Sequence, residues 1–217
     1  MTLGPTHDTS VRRAPRTAAA LALVAGLVAG LAPGTRTARA EATPPRYAGT
    51  IVTRDDDRLT LRSREGTPVT LRLARTTNLL TATEGQVRDI KPESYISVVA
   101  APQGNGLKAE AVSVYSPSQR GLLAGHRPWD LGAGRTLTGG WVRDLEGGDP
   151  RKLVLGFEGG ERTLTVPADT RTTQVTTGEK ALLAEGAEVV AQAHRAPDGT
   201  LEADIVVVGR GGVVPTL

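Results

Sequence analysis

The chain has no cysteine, one methionine and few aromatics: two tryptophans, three tyrosines and one phenylalanine among 217 residues. Without cysteine there is neither a disulfide framework nor a thiolate metal site, so apolar packing has to hold the fold. The shortage of aromatics removes the stacking platforms with which single-stranded nucleic acid is usually gripped. The one long apolar stretch, Ala18 to Ala32, is 15 residues and ends at Pro33-Gly34, short of the ~20 that span a bilayer.

Positive charge is also scarcer than the formal net charge of +3 suggests. Arg12, Arg13, Arg16, Arg36 and Arg39 all precede Glu41, with Asp8 the one acid among them, and the chain from Glu41 onward carries 21 basic against 22 acidic residues. An arginine-bearing start, an apolar stretch and Ala38-Arg39-Ala40 have the layout of a secretory signal, which predicts a signal peptide over residues 1–40 with cleavage after Ala40. The expected location is outside the cytoplasm: periplasmic, cell-envelope or extracellular. Arg12-Arg13 leaves the twin-arginine route open, although Ala14-Pro15-Arg16 continues it poorly. No membrane span is expected in the mature protein.

The remainder of the chain is written twice. From Gly49 the order runs Leu59-Thr60-Leu61, Glu65-Gly66, Val69 to Leu73, a Thr-rich bend, Tyr95 to Ala101, then Gly106, Leu107, Ala109, Val112 and Val114. From Gly140 it recurs as Leu153-Val154-Leu155, Gly159-Gly160, Thr163 to Val166, a Thr-rich bend, Glu188 to Ala193, then Gly199, Leu201, Ala203, Val206 and Val208. Leu59 to Gly66 is the same interval as Leu153 to Gly160. Apolar residues alternate on both sides of each glycine turn, the mark of a hairpin with one buried face. Thr83 to Lys91, stopped by Pro92, and Glu179 to Ala184 each suit a short helical turn. Five short strands with a helical turn between the third and fourth is the OB-barrel order, so the expected fold is all-β, two tandem small OB-like barrels, five-stranded and partly open. A plain β-sandwich half is the alternative. The expected boundaries are 41–115 for the first domain, 116–135 for a Gly- and Pro-containing linker, and 136–217 for the second.

The glycine-led strand, the hairpin, the Thr-rich bend and the endings Gly106-Leu107-Lys108-Ala109-Glu110-Ala111-Val112-Ser113-Val114 and Asp198-Gly199-Thr200-Leu201-Glu202-Ala203-Asp204-Ile205-Val206-Val207-Val208 resemble a family of exported bacterial proteins with OB-like domains of unknown function. The likeness covers most of residues 46–214, and Gly125-His126-Arg127-Pro128-Trp129-Asp130 is similar to the linker of a two-domain subgroup. The resemblance implies export and the barrel fold, and brings no active-site residues. Members are sometimes labelled metal-transporter permeases, a label at odds with a chain that lacks the spans.

Candidate chemistry is sparse. No G-x-S-x-G elbow occurs and no nucleophile pairs with a base, so no catalytic residue is assigned and the chain is read as a non-enzyme. His126 and His194 are about 70 positions apart and lack the spacing of metal ligands. Asp55-Asp56-Asp57 fits a turn and lacks the spaced ligands of a calcium loop. Gly209 to Gly212 has no helix after it to cradle a phosphate. Neither a metal nor a cofactor is expected. The second copy has 8 basic and 12 acidic residues between Thr136 and Arg210, which also speaks against nucleic acid as a partner.

Two groups stand out. Trp129 and Trp141 flank the junction of the copies, with His126 and Asp130 beside the first, and are candidates for ligand or interdomain contact. Arg62, Arg64 and Arg72 fall on the outward face of one hairpin and are candidates for contact with phosphate, uronic acid or anionic lipid. The expectation is a non-enzymatic exported binding or scaffolding protein of the cell envelope, its partner an envelope protein, glycan or lipid held between the copies or on a strand 2 to 3 face. The alternative is an accessory of metal-ion handling, suggested by surface carboxylates and by the labels on similar proteins.

Overall fold

The computed structural model describes residues 45–216; the signal peptide read over residues 1–40 lies outside them. The described chain is all-β, and its helical pieces are short 3-10 turns at Val87–Asp89, Pro117–Gln119 and Lys180–Leu182.

The first half supplies β1 (Arg46–Arg54), β2 (Arg58–Ser63), β3 (Pro68–Gly85), β4 (Tyr95–Gln103) and β5 (Gly106–Tyr115). After a short β6 (Gly125–Pro128), the second half supplies β7 (Thr136–Glu146), β8 (Arg151–Phe157), β9 (Gly160–Val166), β10 (Arg171–Thr177), β11 (Glu188–Arg195) and β12 (Leu201–Gly209). Period-two patterning explains the hairpins: Leu59, Leu61 and Leu71 are buried, whereas Arg62 and Thr70 face outward. Gly66 and Gly159, at φ +84° and +89°, make the tight turns after β2 and β8.

The sheet order is β12-β11-β1-β2-β3-β10-β5-β4-β7-β8-β9, with further pairings of β12 to β3 and β5 to β9. Those two pairings close two five-stranded circuits, β1-β2-β3-β12-β11 and β7-β8-β9-β5-β4. In each, the first three strands form a meander, the third pairs parallel with the fifth, and the first pairs antiparallel with the fourth. This is the OB order; the first circuit is closed by a seven-pair parallel ladder of β12 on β3, and the second only by the single pair Lys108 opposite Thr165, so it stays partly open.

The sequence copies are not the spatial barrels. Barrel 1 takes strands one to three from the first copy and its final hairpin, β11–β12, from the second; barrel 2 takes β7 to β9 from the second copy and β4–β5 from the first. The boundaries 41–115 and 136–217 therefore follow the repeat but cut through both barrels. The cores show the same exchange. Ile51, Leu59, Leu61, Leu71 and Leu73 pack with Leu183, Val189, Ala191, Ala203 and Val206 in barrel 1. Val87, Ile90, Ile96, Val98 and Val112 pack with Val142, Leu153, Leu155 and Leu164 in barrel 2.

The cause lies in the Thr-rich segments, which are strands and not bends. No proline or glycine interrupts the chain between Pro68 and Gly85, and β3 runs for 18 residues where about 5–6 is usual. It overshoots its own barrel and delivers the following 3-10 turn and hairpin to the other. In the second copy Pro167 separates β9 from β10, but β10 makes the same crossing and pairs antiparallel with the far half of β3, Val175 opposite Ala82. β-Branched threonines suit these half-buried crossing strands. Their hydroxyls bond to neighbouring strands, Thr77 Oγ1 to the Ala203 carbonyl of β12 at 2.7 Å and Thr173 Oγ1 with Ser113 Oγ of β5 at 3.1 Å. A third cluster, Leu80, Ala82, Tyr95, Tyr115, Val175, Val190 and Val207, fills the space between the barrels.

Candidate functional site

The linker read at 116–135 is structured. β6 adds to the outside of β7, His126 opposite Thr138, and the chain then makes a closed loop in which the Trp129 amide donates to the Arg135 carbonyl at 2.8 Å. Gly132 and Gly134, at φ +99° and +74°, turn that loop. It lays the half-buried Trp129 ring on Val99, Ala111 and Leu137. On the ring sits the Arg46 guanidinium, 4.2 Å from the centroid, and Arg46 Nη2 is 3.2 Å from Asp130 Oδ1. The first residue of β1 in barrel 1 is thereby tied to the loop leading into barrel 2.

Three adjoining cavities of about 400, 140 and 210 Å³ meet at this Arg46–Trp129–Asp130 unit. The largest lies over the β1–β2–β3 face of barrel 1, floored by Ala48, Leu61 and Val69 and rimmed by Arg64, Glu65 and Asp130. The 210 Å³ cavity crosses the junction: Ala48 and Val190 come from barrel 1, Val99 and Ala111 from barrel 2, and Arg64, Arg135 and Arg171 stand around it. Leu131, 55% exposed, forms a lip shared by both. Arg135 grips Glu110 with two bonds, Nε to Oε2 at 2.6 Å and Nη2 to Oε1 at 3.0 Å. That hydrogen bonding holds the Glu110 carboxyl below its ordinary range and lifts the Arg135 guanidinium above its own.

The structure separates the two groups read from sequence. Trp129 and Asp130 line the groove, as does Arg64 from the turn between β2 and β3. Trp141 does not: it packs edge-on against Tyr95 at 5.3 Å, in the seam between the barrels, with Arg120 over it. His126 bonds Thr138 Oγ1 at 2.8 Å and stacks on Phe157 on the outside of barrel 2. Partial burial, helped by the nearby Arg162 charge, keeps that imidazole below its usual pKa. The arginine stripe is likewise divided. Arg72 is ion-paired to Glu202 of the exchanged β12, and Arg62 is exposed on β2 and lines none of the three cavities.

Arg46, Arg135 and Arg171 carry no mark in the sequence. They stand on β1, in the linker loop and at the start of β10, and only the crossing strands bring them together; no spacing distinguishes them. His194 bonds Asp204 Oδ1 at 2.8 Å on barrel 1, and no group of three or more His, Cys, Asp or Glu able to hold a metal occurs among the described residues. Among those residues, no helix is long and apolar enough to cross a membrane. In comparisons with known proteins, no family model, curated protein or solved structure matches the chain.

Proposed function

We propose that this chain is an exported, non-enzymatic binding module of the cell envelope, and that the groove at the barrel junction holds its ligand. The observation that carries the reading is the convergence of three cavities on the Arg46–Trp129–Asp130 unit, where elements of both barrels meet. Apolar floors with a few placed charged groups, at the meeting of two structural units, are the usual form of a ligand site. The guanidinium groups around it suit recognition of an oxyanion rather than transfer of a proton. The leader-like start and the likeness to exported tandem OB-like proteins supply the envelope address.

The test uses mature protein with nitrogen-labelled tryptophan, titrated with fractions of an envelope extract. The reading expects the Trp129 indole signal to shift with at least one fraction while Trp141, packed against Tyr95 outside the groove, stays in place. An unmoved Trp129 across all fractions contradicts it.

A further inference from the structure

We infer that the groove takes an acidic carbohydrate, a short glycan segment whose rings carry carboxylate or phosphate; this rests on the binding reading above. Four arginines surround the junction-crossing cavity. Two are already neutralised, Arg46 by Asp130 and Arg135 by Glu110. The other two, Arg64 and Arg171, have no ion pair among the described residues and are exposed. They reach the cavity from different elements, Arg64 from the β2–β3 turn of barrel 1 and Arg171 from the strand that pairs with β5 of barrel 2. Two guanidinium forks lining one cleft are suited to planar or tetrahedral oxyanions.

Charge alone would suit any anion, and the rest of the lining narrows the choice. The floor between the arginines is small and aliphatic, Ala48, Val99, Ala111 and Val190, a surface on which the CH face of a sugar ring can lie. Ser63, Glu65, Thr67 and Asp130 around the larger cavity offer acceptors and donors for hydroxyl groups. A bare phosphate would leave both features unused. A flat anionic bilayer would meet Glu65 and Asp130 on the same rim and would not enter a concave site. A single-stranded nucleic acid would need open aromatic faces, and the Trp129 ring lies between Arg46 and its apolar bed. At about 400 Å³ the larger cavity is within the ~300–1,000 Å³ that takes a drug-sized ligand, so a few linked rings fit better than one.

The experiment is calorimetric titration of the mature protein with a galacturonic acid trimer, a phosphate-bearing trisaccharide and the neutral galactose trimer, alongside Arg64→Ala, Arg171→Ala and, as an exposed control outside the groove, Arg62→Ala. At least one acidic trimer is expected to bind, the neutral one at least tenfold more weakly. Each groove variant should lose roughly 10- to 100-fold, the range of a charge-assisted hydrogen bond, with R62A unchanged and affinity falling as salt rises. Failure of both acidic trimers, equal binding of the neutral one, or equal loss in R62A overturns the ligand class. The indole titration separates the two claims: if envelope fractions move Trp129 and acidic trimers do not, the class falls and the site stands; if neither moves it, both fall.

Discussion

At the scale of single residues, the groove is built by local compensation. Arg46 is both the cation on the Trp129 ring and the partner of Asp130, so one side chain fixes the ring, the loop and the start of β1. Trp129 and Asp130 stand out in the sequence because they flank the repeat junction, and Arg64 as part of an outward-facing arginine stripe, although it lies in the turn after β2 and not on the strand face. Arg171 does not, since nothing local distinguishes it from any strand-end arginine. His126 offers a direct test of the packing on Phe157. Its folded pKa lies below the ordinary ~6.5, so between those values the unfolded chain binds the extra proton. Its stabilising contribution is thus complete above ~6.5 and is lost as pH falls through the folded value. An NMR titration should find its midpoint below that of the denatured chain; a midpoint at or above it would refute the packing. Gly139 is a second test. It pairs with both Ser97 and Gly125, and a Cβ there would collide with the Leu123 carbonyl oxygen. Gly139→Ala should cost about 1–3 kcal/mol in urea unfolding, and a neutral result would mean that β6 does not sit against β7.

At the scale of elements, the hairpins, the short 3-10 turns and the closing strands are readable from alternation, glycine and proline. The strand ends fall within a few residues of those signals because the signals are local. The Thr-rich segments read wrongly as bends for an equally physical reason: threonine bonds to the backbone in turns, yet its branched Cβ also suits strands, and only the absence of a glycine or proline breaker in β3 decides the matter. That one misreading hides the exchange, because a bend returns the next hairpin to its own barrel and a strand sends it away. Separate fragments spanning 45–120 and 121–216 should each lack a monomeric native barrel and should combine into a one-to-one complex with the far-UV spectrum of the intact chain. Two fragments that fold independently as monomers and ignore one another would show that each repeat closes on itself.

At the scale of the whole molecule, the described chain is one unit in which neither core can form without both halves. Leu71 in barrel 1 and Leu155 in barrel 2 are both fully buried. Leu71→Ala and Leu155→Ala should each remove roughly 2–5 kcal/mol and shift the same single unfolding transition. Two separable transitions, each answering to one variant, would contradict the shared cores. The groove depends on this assembly, for it is the crossing of β3 and β10 that brings Arg64 of one barrel and Arg171 beside the other to one cavity. The most direct measurement is therefore a methyl NOE spectrum of the protein. Exchange predicts contacts from Leu71 and Leu73 to Ala203 and Val206, as in the barrel 1 core. Contacts from the same leucines to Ala109 and Val112 instead would mean that each copy keeps its own hairpin, and would contradict the account.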